Sequence, residues 1–296
     1  MAQASIPVDL FNPGQVFACL GLLEWADQLL GDARGGFDWS EPTAERFHLS
    51  APGDTNPVAV VLAALANARV VAVSPDAAAL STEKWAVPTV GDPRHREFPI
   101  KRPDSPATLP VRLDFEYAGQ TRHLTIDHWG DATERDNVKF WAGSGGYPGA
   151  ALFRDALDLV RSELSTASDD PFAVSQPQSS SFRLDWRRDY IPLDAGFSPN
   201  VHGNVVMTGF PIVEMLAAIG LTHARPRRSP RDKLEYRYAV LGVDADTPLY
   251  QPLFLRAALG GTDLGFPRRQ FLMQLGWPGQ ENQARCITNV IEETKG

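Results

Sequence analysis

Cysteine is nearly missing from this chain. Cys19 and Cys286 stand alone at opposite ends of 296 residues, in no C-x-x-C spacing, which speaks against both a zinc ribbon and the disulfide framework of a secreted domain. A reducing cytoplasm fits that usage. Long apolar runs are missing too: no segment approaches the roughly 20 residues of a membrane span, and the start, MAQASIPVDLF, has no basic region leading into an apolar one. The expectation is a soluble, unprocessed, cytoplasmic protein with no membrane partner. Positive charge is in deficit, with 28 Lys and Arg against 36 Asp and Glu for a net charge of −8. The molecule as a whole therefore repels nucleic acid, and any such binding needs a local basic face or a basic partner.

The motifs of common chemistries are also lacking. KFWAGSGGYPGAALF, from Lys139 to Phe153, is rich in glycine but has neither the G-x-x-x-x-G-K-[ST] nor the G-x-G-x-x-G order. Nucleoside triphosphate binding is not indicated. Gly143-Ser144-Gly145 misses the G-x-S-x-G elbow of a serine hydrolase. The six histidines form no H-x-H pair. Asp127, His128, Asp131, Glu134 and Asp136 gather oxygen and imidazole ligands in IDHWGDATERD, but at a spacing of no EF-hand or H-E-x-x-H site, and acidic residues after a strand commonly build turns and caps. No catalytic residue, metal ligand or cofactor is assigned.

What is present is a core, since 43% of the residues are hydrophobic. Asn12 can cap a helix that starts at Pro13 and stops at Gly31. A second helix follows Asn56-Pro57 to about Ala68, and VVAV after it reads as a buried strand. From Pro75 to Pro110, prolines and charges argue for a long loop without a regular element. VRLDFEY and TRHLTIDHW alternate apolar and polar residues around Ala118-Gly119-Gln120, a hairpin signature. An amphipathic helix follows Pro148, a linker or exposed loop spans Ser165 to Ser181, and SFRLDW, YRYAVLGV and RRQFLMQLGW read as strands around a helix from Pro211. The fold class is α+β, with antiparallel sheets and packed helices. An N-terminal region, 1–165, and a C-terminal region, 182–296, either stand apart or pack as one globular unit. Pro13 to Leu23 and Pro211 to Leu221 share a proline start and a Gly-Leu end, which we read as ordinary helix punctuation.

Candidate contact residues for a nucleic acid or a partner are few. Backbone N–H groups around Ser144 before a helix start, with Lys139 ahead of them, could donate to one phosphate oxygen or a carboxylate; the alternative is a tight turn with Trp141 packed beneath it. FRLDWRRDYI places Arg187 and Arg188 among aromatics, as a base-stacking surface would, or as core aromatics flanked by surface charge. RPRRSPRDKLEYR concentrates Arg225, Arg227, Arg228 and Arg231, a contact surface or a solvated loop.

NPGQVFACLGLLEWAD, LTIDHWGDATERDNVKFWAG, SFRLDWRRDYIPLDAGFSPN and FPIVEMLAAIGLTHARP together resemble an accessory subunit family of type I-G (formerly I-U) CRISPR-Cas systems, over nearly the whole chain. In that family a strand ending in aspartate and tryptophan precedes a Lys-x-Trp-Ala-Gly turn. Asp127-His128-Trp129 and Lys139-Phe140-Trp141-Ala142-Gly143 match it here, with His128 where another tryptophan is expected. The resemblance implies a cytoplasmic antiviral-defence protein in or beside a crRNA-guided effector complex. Its implied partners are other effector proteins, with crRNA or target DNA reached through the complex. It further implies ferredoxin-like, RNA-recognition-type elements and no established active site. A non-enzymatic subunit is the leading expectation, and a metal-dependent nuclease of the same pathway is the alternative.

Overall fold

A computed structural model describes residues 1–75, 80–91, 105–129, 147–189, 207–244, 247–276 and 285–293. The chain opens with β1 (Ala2–Pro7), α1 (Pro13–Leu30), β2 (Arg34–Asp38) and β3 (Arg46–Ala51). Helix α1 begins where the sequence indicates. The Asn12 side chain accepts the Gly14 N–H at 3.1 Å, Pro13 fills the first helical position, and Gly31 ends the helix at φ 74°. Strand β3 lies between β1 and β2, antiparallel to both. The β1-α1-β2 crossover is therefore a split β-α-β unit, an element that ferredoxin-like folds also use.

Next come α2 (Pro57–Ala66), β4 (Arg69–Ser74), β5 (Thr89–Gly91), β6 (Val111–Tyr117) and β7 (Gln120–Ile126). Strand β4 does not join the first sheet; it enters a second one of order β5-β4-β6-β7. The β6-β7 hairpin turns on Ala118 and Gly119, both at positive φ (52° and 73°), the geometry whose twist matches a two-residue hairpin. Gln120, expected in the connection, pairs with Tyr117 as part of the strand. The Pro75 to Pro110 expectation needs correction, because Glu83–Trp85 forms a 3₁₀ turn and β5 runs parallel to β4. Proline permits this: Pro88 lacks a donor but its carbonyl accepts the Ala72 N–H at 2.9 Å.

The remainder is α3 (Gly149–Val160), β8 (Gln176–Pro177), β9 (Thr208–Gly209), α4 (Pro211–His223), β10 (Arg227–Arg228), β11 (Glu235–Leu241), α5 (Pro252–Leu259), β12 (Arg268–Gly276) and β13 (Cys286–Glu292). Strands β10 to β13 form an antiparallel sheet in chain order. It meets the first sheet through backbone bonds, Val243 N–H to the Phe37 carbonyl at 2.9 Å and Gly35 N–H to the Tyr250 carbonyl at 2.8 Å. The architecture is α+β with several antiparallel sheets. One apolar core takes in Ile6, Trp25, Phe153, Leu216 and Phe271 from all along the chain.

At its centre α1 crosses α4, and glycine sets the distance. A Cβ on Gly21 would lie 2.0 Å from the Leu216 carbonyl oxygen, and one on Gly220 would lie 2.1 Å from that of Phe17. Each glycine faces the carbonyl of the residue four positions before the other. The Gly-Leu pairs shared by the two helices thus meet in space, and because both glycines lie inside their helices they mark a point of backbone contact rather than the punctuation read from sequence.

Candidate functional site

SFRLDW is not a strand. Phe182 and Leu184 are buried, but Arg183 sits at φ 61°, and residues Trp186–Asp189 form a 3₁₀ turn. The N–H groups a β-ladder would have used go to a side chain instead. Glu214 of α4, fully buried, accepts Leu184 N–H at 3.1 and 3.2 Å and Asp185 N–H at 3.1 Å. The Asp185 carboxylate, equally buried, accepts Asn12 Nδ2 at 3.0 Å and Arg187 Nη2 at 2.5 Å. A Cβ on Gly14 would lie 2.4 Å from the Leu184 carbonyl oxygen. The N-terminus of α1, the first turn of α4 and residues 182–188 are therefore locked together by short polar contacts inside the core.

Burial pushes the Glu214 carboxyl up to about 8; the Asp185 and Leu184 N–H groups pull it down, the Asp185 charge raises it, and Arg188 lowers it. The carboxyl is neutral over most of the physiological range. It could serve as a proton donor by pKa, yet it is 0% exposed, and no substrate atom can reach it.

Arg187 carries this buried framework to the surface. Its Nε holds Asp185 at 3.0 Å, its Nη2 also reaches the Phe172 carbonyl at 2.9 Å, and its guanidinium lies 3.3 Å from the Phe210 ring centre. It lines a cleft of about 330 Å³ with Asp9, Gln15, Glu45, Asp170 and Phe172. Asp9 N–H donates to Gln15 Oε1 at 2.7 Å, and the Asp9 carboxylate accepts Phe11 N–H at 2.9 Å. Burial raises the Asp9 carboxyl, against the Phe11 N–H; Glu45 raises it too, Arg187 lowers it and Asp185 raises it. Glu45 is engaged by Arg269 at 3.4 Å. Among the described residues no group of three or more His, Cys, Asp and Glu side chains is placed to hold a metal ion.

The residues singled out from sequence separate into three groups. Lys139 and Ser144 lie outside the described residues, as do Trp141, Asp131, Glu134 and Asp136. Arg187 and Arg188 belong to the framework, where Arg188 Nη2 donates to the Ser179 carbonyl at 2.9 Å from a side chain only 5% exposed. His128 is buried as well, edge-on to Trp129 at 4.7 Å; burial first, then the Arg225 charge, lower its pKa to about 3, against a bond to the Ala218 backbone. Arg227, Arg228 and Arg231 reach the surface at β10 and the turn after it, Arg227 and Arg231 exposed and Arg228 half-buried. Sequence reasoning missed Glu214, Asp185 and Asp9. One signal was available, since Glu214 interrupts PIVEMLAAIGL, a helix otherwise apolar all round.

Comparison with protein-family models, with curated protein sequences and with solved structures returns no match.

Proposed function

We propose that this chain is a non-enzymatic, cytoplasmic subunit acting in or beside a type I-G CRISPR effector complex, held there chiefly through contacts with other effector proteins. One observation carries the reading. The described parts of the four sequence segments of the resemblance, scattered along the chain, converge on a single buried framework. Asn12 of the first meets Asp185 of the third at 3.0 Å, and Glu214 of the fourth holds Leu184 and Asp185. Trp129 of the second stacks on Phe182 at 6.0 Å, and Thr222 Oγ1 accepts Asp127 N–H at 3.4 Å.

Motifs whose side chains face one another in the interior specify an architecture rather than a reaction. Such an architecture serves a complex by presenting a fixed surface to its neighbours. The split β-α-β unit supports the ferredoxin-like element that the resemblance implies, and no helix is long and apolar enough to cross a membrane among the described residues.

Co-expression of the tagged chain with type I-G effector proteins tests the proposal. Stoichiometric co-purification is expected, and a chain eluting alone under all salt conditions would overturn it. Incubation with RNA and DNA in Mg²⁺ or Mn²⁺ addresses the nuclease alternative. Cleavage lost in Asp127→Ala or Asp131→Ala would replace the subunit reading.

A further inference from the structure

The cations of this protein are not distributed evenly between paired and unpaired states. Among the described residues most arginines are engaged: Arg256 with Glu24, Arg269 with Glu45 and Glu292, Arg112 with Asp114, and Arg46 with Ser5. In a molecule of net charge −8 that is the expected outcome, because carboxylates outnumber their partners. Arg227, Arg228, Arg231 and Lys233 depart from it. Among the described residues none of their side chains makes a hydrogen bond or a close ion pair, Arg227 feeling only the longer-range charge of Glu293, and all but the half-buried Arg228 are exposed. Among the described residues Arg69 is the other arginine in that condition, and it stands by itself on β4.

The placement is specific. Arg227 and Arg228 form β10, the two-residue edge strand of the C-terminal sheet, opposite Arg237 and Tyr236. Arg237 is held by Glu293 at 2.9 Å, so the cation opposite Arg227 is already neutralised and does not repel it. Arg231 and Lys233 project from the turn that leads back into β11. We propose that this edge binds the phosphate backbone of a single-stranded polynucleotide, without reading its bases.

Two features favour phosphate over an acidic protein and backbone over base. Protein interfaces depend on a central apolar or aromatic anchor. Among the described residues the exposed large hydrophobics are Met1, Leu253, Phe266 and Ile291, and none belongs to this edge. Base recognition on a sheet needs aromatics on the open face. Tyr236, Tyr238 and Phe271 of this sheet are instead buried at 1%, 0% and 0% exposure. What remains is a set of solvated cations, which bind by counterion release and pay no attention to sequence.

The proposal does not rest on the effector-subunit reading, because it concerns the isolated chain and is tested without partners. Fluorescence anisotropy with a labelled 20-nucleotide oligouridylate, titrated across salt, is the measurement. Weak binding is expected, with Kd in the range of roughly 10⁻⁶ to 10⁻⁴ M. A variant with Arg227, Arg228, Arg231 and Lys233 all changed to Ala should lose at least tenfold in affinity. Its log–log salt slope should flatten by about 3 units, at ~0.7 per phosphate contact on a single strand.

Arg69→Ala should change neither. Oligothymidylate of the same length should bind as well as the RNA. The corresponding arginine-to-lysine variant keeps every charge and should keep the slope, which separates lost contacts from lost folding. No binding by the wild type at low salt, an unchanged slope in the alanine variant, or RNA displaced more effectively by polyglutamate than by unlabelled oligonucleotide would each overturn the proposal. The last outcome would assign the edge to an acidic protein.

Discussion

Glu24 on α1 and Glu214 on α4 are both shut away from water, at 1% and 0% exposure, on two helices that touch backbone to backbone. They are satisfied by different chemistry. Glu24 faces cations: the Arg256 guanidinium grips both its oxygens from α5, and His223 Nδ1 stands 3.5 Å away at the end of α4. Glu214 faces backbone N–H groups at 3.1 and 3.2 Å, and burial holds its carboxyl near 8. A buried carboxyl gripped by a guanidinium ties two helices together through that pair. One offered only peptide donors gives up its charge, and the segment it organises abandons β-structure to reach it.

The largest expected effect removes the cation from the first pair. Arg256→Ala should destabilise by about 3–5 kcal/mol in chemical denaturation, because it strands a buried carboxylate. The double variant Arg256→Leu with Glu24→Leu should recover much of that loss. Next come the crossing glycines: Gly220→Ala pushes a methyl into the Phe17 carbonyl and should cost about 1–3 kcal/mol, read as a lowered Tm, with Gly21→Ala comparable. Glu214→Ala leaves the Leu184 and Asp185 N–H groups without acceptors, for a loss of about 1–3 kcal/mol.

The smallest effect at neutral pH is that of Glu214→Gln, within about 1 kcal/mol, since the carboxyl it replaces is already protonated there. Its signature lies in pH dependence. A carboxyl raised from 4.5 to about 8 means that the folded state binds more protons across that window. Its contribution to stability is therefore largest below pH 4.5 and declines as pH rises toward 8. Glu214→Gln should remove that decline from a plot of Tm against pH. An unchanged decline would mean that another group titrates.

The comparison also shows how far sequence reaches. Both glutamates are visible as charges interrupting apolar helices, GLLEWAD and PIVEML. Their partners are not, because Arg256 lies 232 positions from Glu24 and Leu184 lies 30 from Glu214. SFRLDW has the alternation of a strand, and only the carboxylate across the core diverts it. Gly21 and Gly220 look like helix punctuation until their helices cross.

Asn12, Pro13 and Gly31 define α1 from sequence, as Ala118-Gly119 defines the hairpin, because capping and turn geometry involve residues a few positions apart. The α+β class follows from the same local periodicities. Tertiary structure alone decided that β4 leaves the first sheet, that Arg188 turns inward, and that the cations of β10 and its turn form no close ion pair among the described residues. Burial and charge pairing act between groups brought together from distant parts of the chain, and no local pattern carries that information.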